Sequence, residues 1–179
     1  TPLQVAVRKK GVDLVKSLIA NGNDVKATNN RDQTALMIAA GDGSAKMIEL
    51  LLPNSNVKAT DNFGVTALMY AAASGNDKSV ELLLPMSDVK ATTNTGATAL
   101  MNPALSGKEK SLELLLPISD VKATNEDGYT ALMQAVRNGN EQSVELLLPD
   151  SDVKATNEYG ATALMAAARY GNDKYVQLL

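Results

Sequence analysis

The chain has no cysteine, no histidine and no tryptophan, and its aromatic content is one phenylalanine and five tyrosines. Without cysteine there can be no disulfide, no thiolate metal site and no thiol nucleophile. Without histidine, imidazole zinc sites, Ser-His-Asp triads and histidine general bases are excluded. The formal net charge is −3, too small and of the wrong sign for nucleic acid or an anionic membrane as main partner. No apolar run approaches the roughly 20 residues of a membrane-spanning helix. No signal-peptide pattern opens the chain, no Asn-x-Ser/Thr sequon occurs, and no Gly-rich phosphate loop or dinucleotide fingerprint is present. Paired carboxylates such as Glu126-Asp127 are surface neighbours with no buried pocket to shift a pKa. The expectation is a chain without catalytic residues, metal or cofactor, in a reducing cytoplasmic setting.

What the sequence has instead is repetition. Thr-Ala-Leu-Met begins at Thr34, Thr66, Thr98, Thr130 and Thr162, each 32 residues after the last, and Thr1-Pro2-Leu3-Gln4 stands 33 residues before Thr34. A fixed short period points to a stacked array rather than one globule. The array is expected to run as a single domain over 1–179, with units starting near 1, 34, 66, 98, 130 and 162. A chain that starts without Met and stops midway through a unit reads as a piece of a longer array.

Each unit holds two short helical patterns. In the unit from Thr66, the residues Leu68, Ala71 and Ala72 lie at i, i+3 and i+4, with Thr66 as N-cap. Gly75 ends that helix, and Asn76-Asp77 caps a second one with the stripe Val80, Leu83 and Leu84. Pro85 is predicted to stop it and to bias Leu84 away from the α region. Ser87 to Thr92 reads as extended, and Asn94-Thr95-Gly96 as a turn. Helices of about ten residues or fewer are marginal alone in water, so stacking must bury the stripes.

These residues resemble an ankyrin-repeat protein, whose unit is a β-turn plus two helices with the signature T-P-L-H-x-A. Thr1-Pro2-Leu3-Gln4-Val5-Ala6 matches it with Gln for His. Gly75, Gly107, Gly139 and Gly171 between the helices, the Leu triplets, and Asp-Val-Lys-Ala for the usual Asp-Val-Asn-Ala extend the resemblance over the whole chain. It implies an all-α solenoid of helix-turn-helix units with hairpin-like loops. Met37, Met69, Met101, Met133 and Met165 occupy the His column, so the family's Thr–His hydrogen bond cannot form. The linker Pro-x-Ser-Asp is also one residue shorter than the family norm; only Ala20-Asn21-Gly22-Asn23-Asp24 keeps the longer form.

The fourth unit departs from the others. Pro103 replaces the Ala found at 39, 71, 135 and 167, inside the first helix, where proline costs about 3 kcal/mol. Lys108 stands where Asn76, Asn140 and Asn172 would cap the second helix. Drift in an array with stability to spare, or a local weak point, would both produce this.

Comparing units within the chain, five columns vary freely: two before the turn glycine, one after it, and two at the end of the first helix. The family resemblance places them on a concave side where partners bind. They contain every arginine (Arg8, Arg31, Arg137, Arg169) and most aromatics (Phe63, Tyr129, Tyr159, Tyr170). Arg and Tyr dominate interface hot spots. The partner-binding residues expected are Arg31, Phe63, Tyr129, Arg137, Glu158, Tyr159, Arg169 and Tyr170, weighted towards the C-terminal half. The lysines at 26, 58, 90, 122 and 154 alternate along the same segment with Asp24, Asn56, Asp88, Asp120 and Asp152, which favours a solvated face. The methionine column is read as core, its sulfurs too far apart at helix spacing of about 8–10 Å to share a metal. The function expected is non-enzymatic protein recognition by a monomer, with a protein partner and neither nucleic acid nor membrane. The targeting region of a larger enzyme, such as a kinase or ubiquitin ligase, and a structural spacer are the alternatives.

Overall fold

Threonine at the start of each unit sets the first helix. Thr34, Thr66, Thr130 and Thr162 enter extended, and each side-chain oxygen accepts the backbone N–H of the Met three residues on, at 3.2–3.3 Å. Thr1 does the same for Gln4. In the computed structural model, which describes residues 1–179, these caps open the first helix in five of six helix pairs, the fourth being the exception. The pairs are α1 (Pro2–Arg8) with α2 (Val12–Ala20), α3 (Ala35–Gly41) with α4 (Ala45–Leu51), and α5 (Ala67–Ser74) with α6 (Asp77–Leu83). They continue as α7 (Met101–Ser106) with α8 (Glu109–Leu115), α9 (Ala131–Arg137) with α10 (Glu141–Leu147), and α11 (Ala163–Arg169) with α12 (Asp173–Leu178). There are no strands; single antiparallel bridges, Thr60 to Thr66 and Thr92 to Thr98, are all that the hairpins contribute.

First helices pack on first helices and second helices on second helices, with the first row the closer of the two. Alanine permits this: Ala39, Ala71, Ala135 and Ala167 are wholly buried between neighbours. Leu36, Leu68, Leu100 and Leu132 from the first row meet Leu51, Leu83, Leu115 and Leu147 from the second in one core of 37 buried hydrophobic residues. Met37, Met69, Met101 and Met133 lie inside it as expected, but Met165 is 56% exposed, because no further unit stacks on α11 here. The sulfurs of Met37 and Met69 accept the backbone N–H of Thr34 and Thr66 at 3.4 and 3.5 Å, a weak substitute for the missing histidine contact. Gln4 instead donates to the carbonyls of Gln33 and Ala27, tying the first unit to the next turn.

Three local expectations need correction. The α-helix before Pro85 does stop, at Leu83, but Leu84 stays in the α region (φ −52°, ψ −47°). Leu84–Met86 continues as a 3₁₀ turn, as do the equivalent segments, because proline near the start of a turn has no N–H to satisfy there. The following segment is extended at Ser87 and again at Thr92, which bridges Thr98, but turns between them. Asp88 accepts the N–H of Lys90 on its side chain and of Ala91 on its carbonyl, an Asx turn found also at Asn56, Asp120 and Asp152. The acidic and lysine ladders therefore share turns rather than a strand; the carboxylates cap backbone while the lysines are exposed and unpaired. Finally, Asn76 and Asn172 cap their helices, but Asn140 does not; its amide donates to the carbonyls of Ala104 and Leu105 at 3.0 and 2.7 Å.

The hairpin tips are fastened to one another through the main chain. Asn62, Asn94, Glu126 and Glu158 donate their N–H to the carbonyls of Arg31, Phe63, Thr95 and Asp127 in the preceding tip, at 2.9–3.1 Å. Glycine after each acceptor takes positive φ and admits the neighbour; a Cβ on Gly128 would lie 2.8 Å from the Asn157 Cα. Asp32 holds the same left-handed conformation (φ 56°) where the second unit has no glycine.

In the fourth unit Pro103 is not in a helix interior as expected. Its ring is incompatible with the carbonyl four residues back, so α7 begins at Met101 and the proline occupies the first turn.

Candidate functional site

The variable columns fall on two lines of the surface, the hairpin tips and the last turn of the first helices. Arg31, Phe63 and Tyr159 stand before the turn glycine position on three tips, and Phe63 and Tyr159 are 63% and 75% exposed. Their backbones carry the tip-to-tip hydrogen bonds or equivalent turn geometry, which frees the side chains for other contacts. Glu158 lies on the same tip as Tyr159 and raises the tyrosine hydroxyl above its ordinary value by hydrogen bonding and charge. Arg8, Arg137 and Arg169 end α1, α9 and α11, where a cation suits the partial negative charge of a helix C-terminus.

Of the eight expected residues, four come together. Tyr129, Arg137, Arg169 and Tyr170 line a cleft of about 170 Å³ between the fifth and sixth units. Its apolar lining is Met133, Met165, Ala161 and Ala166. The Arg137 guanidinium lies 5.7 Å from the centre of the Tyr129 ring, a cation–π contact of about 0.5–1 kcal/mol at an exposed site. Tyr129 is half-buried and fixed by its backbone N–H, which donates to Asn125. Glu158 and Tyr159 border this cleft on the hairpin whose Asn157 and Ala161 line it. Arg31 and Phe63 do not join it; they lie on tips two or more units away.

Every ion pair in the chain is Lys–Glu on the second helices: Lys46 with Glu49, Lys78 with Glu81, Lys110 with Glu113, and Lys174 with Glu141 and Glu145. No arginine enters one. The charged groups thus divide by face, with mutually neutralised pairs on the second-helix side and unpaired guanidinium groups on the first-helix side.

Sequence reasoning missed Tyr70. Its hydroxyl accepts from the Gln33 amide and donates to Asp61, both at 2.7 Å, bridging successive hairpins. Asp61 is buried and also accepts the N–H of Phe63 and Val65. Burial first, then the bond to Asp61, pushes the Tyr70 pKa up. The signal was present in its own column, where Ile38, Tyr70, Asn102, Gln134 and Ala166 differ as freely as any tip residue.

No helix is long and apolar enough to cross a membrane. A search of curated proteins finds no match. A family model described as ankyrin repeats (3 copies) matches three overlapping stretches, residues 3–94, 56–125 and 100–179, which together span nearly the whole chain. With that match, the threonine-capped helix pairs and the hairpin between each pair and the next, the chain belongs to the ankyrin-repeat family, whose arrays are generally protein–protein interaction modules and typically not catalytic.

Proposed function

We propose that this array recognises a protein partner through its concave face, made by the first helices and hairpin tips, without performing chemistry on it. The observation that carries the reading is the convergence of Tyr129, Arg137, Arg169 and Tyr170 on one cleft with an apolar floor. Aromatic and arginine anchors around a desolvated centre are the usual energetic core of an interface. Curvature follows from the packing: first helices approach more closely than second helices, and a stack that is tighter on one side bends towards that side. The absence of cysteine suits a reducing, cytoplasmic setting. Exposed Phe63 and Arg31 extend the face towards the N-terminal units.

The test is affinity capture from lysate with the native chain beside a variant carrying Tyr129→Ala, Tyr159→Ala and Tyr170→Ala. Loss of the captured protein by faster dissociation is the expected result. Undiminished capture by a folded triple variant would show that another face binds.

A further inference from the structure

We infer that the cleft between α9 and α11 receives an acidic peptide segment, with carboxylates seated on Arg137 and Arg169. The inference rests on the concave-face reading above and adds the chemistry of the occupant. Both guanidinium groups are exposed, and neither is paired with a carboxylate of the chain, although 20 Asp and Glu are available to 17 Lys and Arg. On the second helices four of the five lysines are paired with glutamates; here two cations stand on consecutive units with no such partner. Such an arrangement repels itself unless an anion completes it.

The cleft also holds the cations ready. Tyr129 lies against the Arg137 guanidinium without taking any of its N–H donors, which leaves them for a bidentate carboxylate. Tyr170, 56% exposed, follows Arg169 as the cap residue of α11 and offers a hydroxyl and ring beside it. Between the two charges the surface is thioether and alanine, suited to the apolar side chain of a peptide and not to a free ion. Glu141 and Asp173, the acids nearest by sequence, open α10 and α12 on the second row, while Glu126, Asp127 and Glu158 are on the hairpin tips. The tip acids make the far wall negative, so an acidic segment runs along the helix ends and not across the tips.

Spacing narrows the occupant further. Neighbouring packed helices are about 8–10 Å apart, and an extended chain advances about 3.3 Å per residue. Carboxylates two to three residues apart in an extended segment therefore reach both arginines, with an apolar residue between them over the methionines.

The experiment is selection of short random peptides displayed on phage against the whole chain, followed by affinity measurement of synthetic peptides. The expected winners carry Asp or Glu at that spacing around an apolar residue. Their affinity is expected to drop roughly tenfold or more in Arg137→Gln/Arg169→Gln and to weaken with added salt. Melting curves check that the variant is folded. The charge-reversed variant Arg137→Glu/Arg169→Glu is expected to prefer the same peptide with Lys in place of its acids. Neutral or basic winners that still require Tyr129 and Tyr170 would overturn the acidic occupant and leave concave-face recognition standing. Winners indifferent to both the arginines and the tyrosines would overturn both, and winners needing phosphate in place of carboxylate would overturn the occupant proposed here.

Discussion

The Thr98 hydroxyl is buried with no hydrogen-bond partner because Pro103, five residues on, prevents the helix that this threonine would cap. In the other units the equivalent oxygen accepts an N–H at 3.2–3.3 Å. Replacing Pro103 by Ala is expected to restore the two missing residues of α7 and the cap, for about 1–3 kcal/mol and a higher Tm. Thr98→Ala should then be nearly neutral in the native chain but cost about 1 kcal/mol beside Pro103→Ala. Urea unfolding of the four chains measures both. An unchanged Tm on Pro103→Ala would show that the fourth unit is not weak.

The same asparagine column is expected to answer one substitution in opposite ways. Asn76 uses its side-chain oxygen as an acceptor for the N–H of Ser79, so Asn76→Asp keeps the cap and adds charge suited to a helix N-terminus. Asn140 uses its amide as a donor to two carbonyls, so Asn140→Asp removes the donors and sets a carboxylate against them. We expect Asn76→Asp to be neutral or mildly stabilising and Asn140→Asp to cost about 1–3 kcal/mol. Thermal melts of the two single variants test the sign.

Glycines with similar φ should differ in tolerance. Gly128 (φ 77°) and Gly139 (φ 72°) both demand a left-handed backbone, but a Cβ on Gly139 meets nothing within 4 Å while one on Gly128 meets the next tip. Gly139→Ala is expected to cost about 1–2 kcal/mol, the price of the conformation. Gly128→Ala should cost more and should also speed amide hydrogen exchange at Glu158, whose N–H donates to Asp127.

Alkaline titration should single out Tyr70. Its folded pKa is raised above the ordinary 10.0, chiefly by burial and then by the bond to Asp61. Its contribution to stability is therefore fully present below that ordinary value and is lost as pH rises through the higher folded pKa. Tyr70→Phe is expected to cost about 1 kcal/mol near neutrality from the lost bonds to Gln33 and Asp61. It should also make the fall in stability above pH ~10 shallower. Tyrosinate absorbance against pH, compared between the two chains, shows whether a late-titrating hydroxyl has been removed.

Helix positions were legible because their signals are local: a threonine cap, a glycine terminator and an apolar stripe all lie within a few residues. The behaviour of Pro85 was less legible, since a 3₁₀ turn accepts proline where an α-helix would not. Asn140 resembles Asn76 in sequence and differs only in what the preceding unit presents to it, namely the exposed carbonyls at the end of α7. Of the site, the choice of residues came from columns within the chain, but which of them meet depended on stacking. Arg137 and Arg169 are 32 residues apart and share a cleft, while Phe63 stands alone on its tip.

The fastening between successive tips uses only main-chain N–H and C=O groups. Assembly and recognition are thus encoded in separate parts of the same residue, the peptide group and the side chain. Arg31, Phe63, Thr95, Asp127 and Tyr159 differ in size, charge and polarity, and four of them nevertheless present their carbonyls to the next tip in the same way. A new specificity can therefore be written at these five positions, one module at a time, without renegotiating how the modules adhere.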